Sequence, residues 1–414
     1  ARGWAALGRA VVAAGIMLAP QPGNGAYVLL LSPDHVGSTV PVLAALLLLD
    51  RVSPWRQPPG TRQRIALVVL AAVLLTLGLV ADPVVAYTGV IPLLVACAVR
   101  SYQGAIMRQQ PWASQRYPLV VGAAAIGSAG GAALISHALR ALGGYQVSPV
   151  HPWFASTAAL SRHLPAAAEG TAVLFGADFS GQPAAFAAGL ALVHLAGLAA
   201  AGYAVWLGLR RYGRLPDLVT LTLVTAVLLN LAGFVLSTRV TDARSAREMV
   251  AVLPFGAALA GRLLGENLTA PRLRPVVAAV LACYLVSLGY AMAQPAVPAA
   301  GQRLADWLAA RRLGSGLAPY WQADVITLAS HGAAAVRPVC VAGRRVTAEH
   351  WESRADWYRP RRSRATFLIV GGSAACSHVT AAQARSAFGR PAYSYRVDGY
   401  TVMVWPRNLL TVVG

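Results

Sequence analysis

YVLLLSPDHVGSTVPVLAALLLL, residues 27–49, sets an aspartate beside a histidine inside a run that is otherwise almost wholly apolar. The apolar flanks read as membrane-spanning, and ionisable groups at the mouth of such a helix are costly enough to mark function by default. Ser32 can cap a helix whose first residue is Pro33, because the missing proline N–H would be unpaired there anyway. Asp34 then stands in the first turn, where the helix dipole favours a carboxylate. On this helix Asp34 shares a face with Ser38, and His35 with Thr39. Such a cluster could hold a divalent cation or act as a general base. The plainer alternative is that Asp34 and His35 only finish a helix end at the lipid headgroups.

Outward from this stretch the same pattern recurs. The 414 residues are 57% hydrophobic and 12% charged, with a mean hydropathy of +0.55, whereas a soluble domain carries about 25% charged residues. Apolar runs at about 4–20, 36–50, 65–80, 84–98, 117–138, 184–208, 216–236, 249–264 and 275–292 predict nine spans. Gly127, Gly130 and Gly131 in the fifth suggest close helix packing in lipid. Residues 140–182 read as the longest interior loop.

The formal charge of +20 comes from arginine alone, since the chain has no lysine. Many arginines sit in short loops between apolar runs instead of clustering on a folded polar domain, which argues against nucleic-acid binding. The loops after spans two, four, six and eight hold thirteen arginines. The positive-inside rule makes these cytoplasmic and places Asp34-His35, the long loop, the 238–248 loop and the C-terminus outside, as in a plasma (inner) membrane protein. From residue 293 the composition changes. Helices at 302–313 and 380–388, with strands at 323–328, 366–370, 394–396 and 400–405, predict a small extracytoplasmic α/β domain. The expected architecture is therefore an α-helical polytopic membrane domain, residues 1–292, followed by an α/β domain, residues 293–414. Cys97 and Cys283 fall in apolar runs. Cys340 and Cys376 lie in the polar region, where an external location permits a disulfide. The chain opens without methionine, so an upstream piece is expected.

Beyond Asp34 and His35, the candidates are Asp178, Arg247 and Glu248. Asp178 is either an acidic site residue or a helix cap. Arg247 can hold a phosphate through charge-assisted hydrogen bonds. Glu248 sits where a helix N-terminus favours it for structural reasons alone. Asp82, in an Asp-Pro turn, reads as structural, His151 and His163 as ordinary loop residues, and His194 as a packing histidine. Nucleotide-binding, zinc-protease and serine-hydrolase signatures are absent.

Together, Ser32-Pro33-Asp34-His35-Val36-Gly37, the segment Arg247-Glu248-Met249 to Pro254-Phe255, and the layout of many spans before an α/β domain resemble the GT-C superfamily of polytopic glycosyltransferases. The likeness is to its protein-mannosyltransferase and oligosaccharyltransferase branches. The resemblance implies a sugar taken from a polyprenyl-phosphate donor and passed to an extracytoplasmic acceptor glycan or protein. It implies Asp34 as a ligand to a divalent metal (Mg or Mn) or as base, His35 as its helper, Asp178 as a second acid, and Arg247 and Glu248 on the lipid-phosphate side. Two departures stand out. Pro20 to Leu31 offers no acid where the family keeps its first-loop catalytic acid, which places that acid upstream or leaves the chain without it. Tyr320-Trp321-Gln322 is not the Trp-Trp-Asp peptide-reading motif, so peptide glycosylation is not supported. The alternative is a non-catalytic envelope protein that binds a lipid-linked glycan or a partner enzyme. A transporter is disfavoured by the lack of paired mid-membrane charges and of internal repeats.

Overall fold

The computed structural model describes residues 3–17, 33–54, 60–107, 109, 111, 115–144, 153–212, 217–241, 243–295, 301–342, 345–371 and 379–413, with the side chains of residues 33, 34, 243 and 244 excepted. The chain divides into two compact units, residues 1–134 with 151–294, and residues 135–150 with 295–414.

Helices occupy the positions of the expected spans. They are α1 (Trp4–Met17), α2 (Pro33–Val52), α3 (Thr61–Ala81), α4 (Ile91–Tyr102) and α5 (Arg116–Ala141). After α6 (Thr157–Leu174) come α7 (Phe186–Arg210), α8 (Leu218–Leu236), α9 (Val252–Leu268) and α10 (Arg274–Met292). Helix α4 is flanked by π-helical turns at Ala86–Val90 and Gln103–Met107. Among the described residues, seven of these helices are long and apolar enough to cross a membrane; α1, with 14 residues, and α9, with 17, are shorter. Ile65, Val69, Leu70, Val73 and Leu77 all lie exposed on α3. An outward apolar surface of that kind is stable against lipid and not against water.

Helix α8 is largely enclosed, with Leu218 to Val227, Asn230 and Phe234 buried. Its threonines hydrogen-bond backward, Thr222 Oγ1 to Leu218 O at 2.9 Å and Thr225 Oγ1 to Leu221 O at 2.8 Å, which satisfies hydroxyls that have no water to meet. One charged network crosses this body. Arg262 on α9 donates from Nη2 to Asp50 Oδ1 of α2 at 2.5 Å and from Nε to Asp217 Oδ2 at 2.7 Å. Asp217 also caps α8 through Val219 N.

The small-residue contact lies elsewhere than the sequence suggests. A Cβ at Gly127 or Gly130 would meet nothing within 4 Å, and only Gly131 touches a neighbour, Thr76. The close crossing is between α9 and α1. A Cβ at Gly261 would fall 2.5 Å from Arg9 O, and one at Gly265 would fall 2.6 Å from Arg9 Cα. Small residues four apart let two backbones meet. The long-loop reading of 140–182 also needs correction, because it contains α6. Ser156 Oγ caps that helix on Ala159 N, and its buried face runs through His163, Ala167, Gly170 and Val173. Alanines, Pro165 and two polar turns give this helix too little apolar contrast to stand out in the sequence.

The second unit carries a six-stranded sheet in the order β3-β2-β1-β4-β6-β5. The strands are β1 (Ser315–Ala318), β2 (Ala335–Ala342), β3 (Arg345–Ala348), β4 (Phe367–Val370), β5 (Tyr393–Val397) and β6 (Tyr400–Val404). Strand β1 pairs in parallel with β2 and β4, while β3 and the β6–β5 hairpin add antiparallel edges. Helices α11 (Gln302–Ala310), α12 (Tyr320–Ala329) and α13 (Ala381–Phe388) complete it. A capping box, Thr380 with Gln383, starts α13. The strand expected at 323–328 is helical instead. Ala323 and Ile326, three apart, are the buried positions of α12, a helical period that its β-branched residues disguise. Residues 135–150 join this unit, Ala355 N donating to Gly143 O at 2.9 Å. Cys340 is a free thiol with Sγ 3.3 Å from Thr347 Oγ1, and Cys376 lies outside the described residues.

Candidate functional site

The site begins with the turn that closes α3. Asp82 follows the last helical residue, and its N–H returns to Gly78 O. Its Oδ1 accepts from Val84 N at 2.9 Å, the local bond that an Asp-Pro turn provides. That bond aims the other oxygen back at α2. Asp82 Oδ2 accepts from Ser38 Oγ at 2.6 Å and lies 2.8 Å from His35 Nδ1. An ionised carboxylate only accepts, so Nδ1 carries a proton and Nε2 is the ring's other nitrogen. His35 Nε2 is 3.9 Å from Glu248 Oε2. Glu248 Oε1 in turn lies 3.5 Å from Arg239 Nη2 and 3.7 Å from Arg247 Nε.

Three separate elements supply these groups. His35 and Ser38 come from the first two turns of α2, Asp82 from the α3–α4 connection, and Glu248 from the 3-10 helix Ala243–Met249 that leads into α9. Packing holds the last in place, since a Cβ on Gly170 of α6 would sit 2.6 Å from Met249 Cε and 2.8 Å from Ala246 Cβ. The π-helical turn Ala86–Val90 begins four residues after Asp82 and brings Tyr87 within electrostatic reach of Glu248, Asp82 and Arg239. Such turns often accompany functional sites.

Burial acts to raise the pKa of Asp82. The His35 hydrogen bond and charge, with those from Ser38 and Val84 N–H, outweigh it and hold the carboxyl below its ordinary value. A group with a depressed folded-state pKa contributes stability above its unfolded value of 3.8, and that contribution is lost as pH falls through the folded value. Asp82→Asn should therefore lower stability at pH 7 by about 1–3 kcal/mol. It should also flatten the loss of thermal stability between pH 5 and about 3 relative to the parent. A variant melting curve that tracks the parent at every pH would show that these bonds carry no net energy.

Among the sequence candidates, the structure brings His35, Arg247 and Glu248 together. Asp34 lies in the first turn of α2, but its side chain is outside the described residues. Asp178 is buried in the turn after α6, with its carbonyl accepting from Gln182 Nε2. None of the contacts just given includes it. Asp242 lies outside the described residues. Asp82, read from sequence as a structural turn residue, is the hub. The usable signal was its recurrence with Asp34-His35 and Glu248 at helix ends that the arginine distribution assigns to one side. His163 Nδ1 meets Val235 O at 2.9 Å, and His194 Nδ1 meets Phe175 O at 3.3 Å while its ring packs at a tilt against Tyr284, so both serve packing. No three His, Cys, Asp or Glu side chains among the described residues converge as a metal site would require. The described donors, already engaged with one another, do not fit a divalent cation on their own.

No family model, curated protein or solved structure matches this chain.

Proposed function

We propose that the chain is a glycosyltransferase-like membrane protein that passes a sugar from a polyprenyl-phosphate donor to an extracytoplasmic acceptor glycan or protein. The supporting observation is the line Asp82–His35–Glu248 with Arg239 and Arg247 beside it, assembled at the ends of apolar helices. In this reading the acceptor hydroxyl attacks the anomeric carbon as the bond from that carbon to the phosphate oxygen breaks. Its proton passes to His35 Nε2, whose orientation Asp82 fixes from the opposite nitrogen. Arg247 and Arg239, each more than a third exposed, receive the departing lipid phosphate by charge-assisted hydrogen bonds. Glu248 keeps the two guanidiniums on station. Asp34 is the residue that would add a carboxylate for Mg or Mn, and no step here depends on it. In this reading, which the arginine distribution supports, this end and the C-terminal unit are extracytoplasmic at a plasma membrane.

The test uses the full chain in lipid nanodiscs with a panel of polyprenyl-phosphate monosaccharides. His35→Ala should lower turnover about 100-fold or more with normal membrane insertion. Arg247→Gln should raise KM for the donor more than it lowers kcat. Unchanged turnover by His35→Ala would remove the cluster from the mechanism. One observation favours a second reading, a non-catalytic binder of lipid-linked glycan: Asp82 already faces three donors. Saturable donor binding with no sugar consumed from any donor in the panel would select it.

A further inference from the structure

The sheet of the second unit has a point where its strand order reverses. Strand β1 is central in the parallel part of the sheet; the chain leaves it toward β2 on one side, and β4 lies on the other. Open α/β sheets take ligands outside the carboxyl ends of such strands, where the strand order reverses. Here that end is Ala318, after which Pro319 turns the chain into α12. Register brings a second segment to the same level, because Ala318 pairs with Pro338, and Glu349 N donates to Pro338 O at 3.1 Å. Residues 320–324 and 349–352 are therefore neighbours at the strand ends.

What these segments bear is distinctive. Tyr320 lies 5.6 Å from Trp351, with rings tilted by 32°, and 5.2 Å from Trp321, with rings nearly perpendicular. Trp321 and Trp351 are 51% and 39% exposed, unusual for indoles that could have packed inward. Tyr320 Oη donates to Glu352 Oε2 at 3.2 Å, and Glu352 holds a left-handed backbone, φ 46°. Asp324, one turn along α12 from Tyr320, adds a second carboxylate. Desolvation and then the charge of Glu352 push its pKa up to about 6.

We infer that this aromatic shelf binds a neutral glycan. Sugar rings present C–H faces that stack on Trp321 and Trp351, and hydroxyls that donate to Glu352 and Asp324. The two carboxylates disfavour a phosphate-bearing ligand. The unit as a whole, with sixteen arginines to six carboxylates over residues 135–150 and 295–414, repels a polycationic peptide. The shelf belongs to the second unit and the Asp82 cluster to the first, and binding is read without donor or transfer, so it stands or falls independently of the proposed reaction.

The experiment places the nanodisc-embedded full chain on an array of neutral oligosaccharides built from hexoses, pentoses and N-acetylated amino sugars. An arginine-rich peptide is included. At least one glycan class should bind saturably, and Trp321→Ala and Trp351→Ala should each weaken it about 10-fold or more. Glu352→Gln should weaken it by less. Trp321→Phe and Trp351→Phe, which keep a smaller ring, should lose severalfold and serve if alanine disturbs folding. Three results would overturn the inference: no glycan bound across the array, affinity unchanged in both tryptophan variants, or tryptophan-dependent capture of the peptide in place of any glycan.

Discussion

Arg262→Leu should destabilise the helical unit by about 3–5 kcal/mol, because it removes the guanidinium that now neutralises two partly buried carboxylates. Asp50 is largely buried, its side chain 8% exposed, and Asp217 is partly so. Neither can recover full hydration when Arg262 is lost. The substitution also removes donors that tie α9 to α2 and α8 simultaneously. A lysine replacement should recover only part of the loss, since one ammonium cannot reproduce the spread of donors that reaches Asp50 and Asp217. The informative control is the triple change Arg262→Met, Asp50→Leu and Asp217→Asn. It removes the charges together, keeps a helix-capping side chain at position 217, and should restore most of the stability. Unfolding of the detergent-solubilised chain, followed by circular dichroism, reads all four proteins. A loss below about 1 kcal/mol in Arg262→Leu would mean that water or lipid headgroups already solvate the network.

Gly265→Val should be, with the same change at Gly261, among the most damaging substitutions in α9. A Cβ at Gly265 would lie 2.6 Å from Arg9 Cα and 3.0 Å from Arg9 N, and backbone cannot swing aside as a side-chain tip can. Helix α1 must lift away, forfeiting its packing on α9 along with the Arg9–Glu266 ion pair at 2.7 Å. The cost should reach or exceed the upper end of the roughly 1–3 kcal/mol typical of overpacking. Gly127→Val and Gly130→Val, where an added Cβ meets nothing, should change stability by no more than about 0.5 kcal/mol. If the α5 variants proved as harmful as Gly265→Val, the assignment of the tight crossing to α1 and α9 would be wrong.

The helix positions were legible in the sequence because a long apolar run has few alternatives once the backbone must satisfy itself in lipid. The pairing of those helices was not, since the runs are apolar on every side and carry no facing code. Gly127, Gly130 and Gly131 look like a packing motif as much as Gly261 and Gly265 do, and only the backbone distances separate them. The site was half legible. His35, Arg247 and Glu248 announced themselves as charges beside apolar runs, and the structure puts them within one cluster. Asp82 carried the same signal but had a sufficient local explanation in its Asp-Pro turn. The structure shows one carboxylate serving both purposes, Oδ1 for the turn and Oδ2 for His35 and Ser38. In the second unit, β5, β6 and α13 followed their patterns. Helix α12 did not, because Val325, Ile326 and Thr327 favour a strand locally and tertiary burial overrides them.

Helix α9 bears three constraints at once. Gly261 and Gly265 press it against α1, Arg262 points to α2 and α8, and Glu248 precedes its first turn. Turning the helix about its axis to re-aim Glu248 would drive those glycines out of the α1 backbone and pull Arg262 from both its carboxylates. The helix is thus a fixed axle, and any widening around His35 has to come from the opposite wall. That wall is packed as well: Thr88, Gly89 and Val90 of the π-helical turn Ala86–Val90 are buried, and a Cβ on Gly89 would fall 2.8 Å from Val42 Cγ2 of α2.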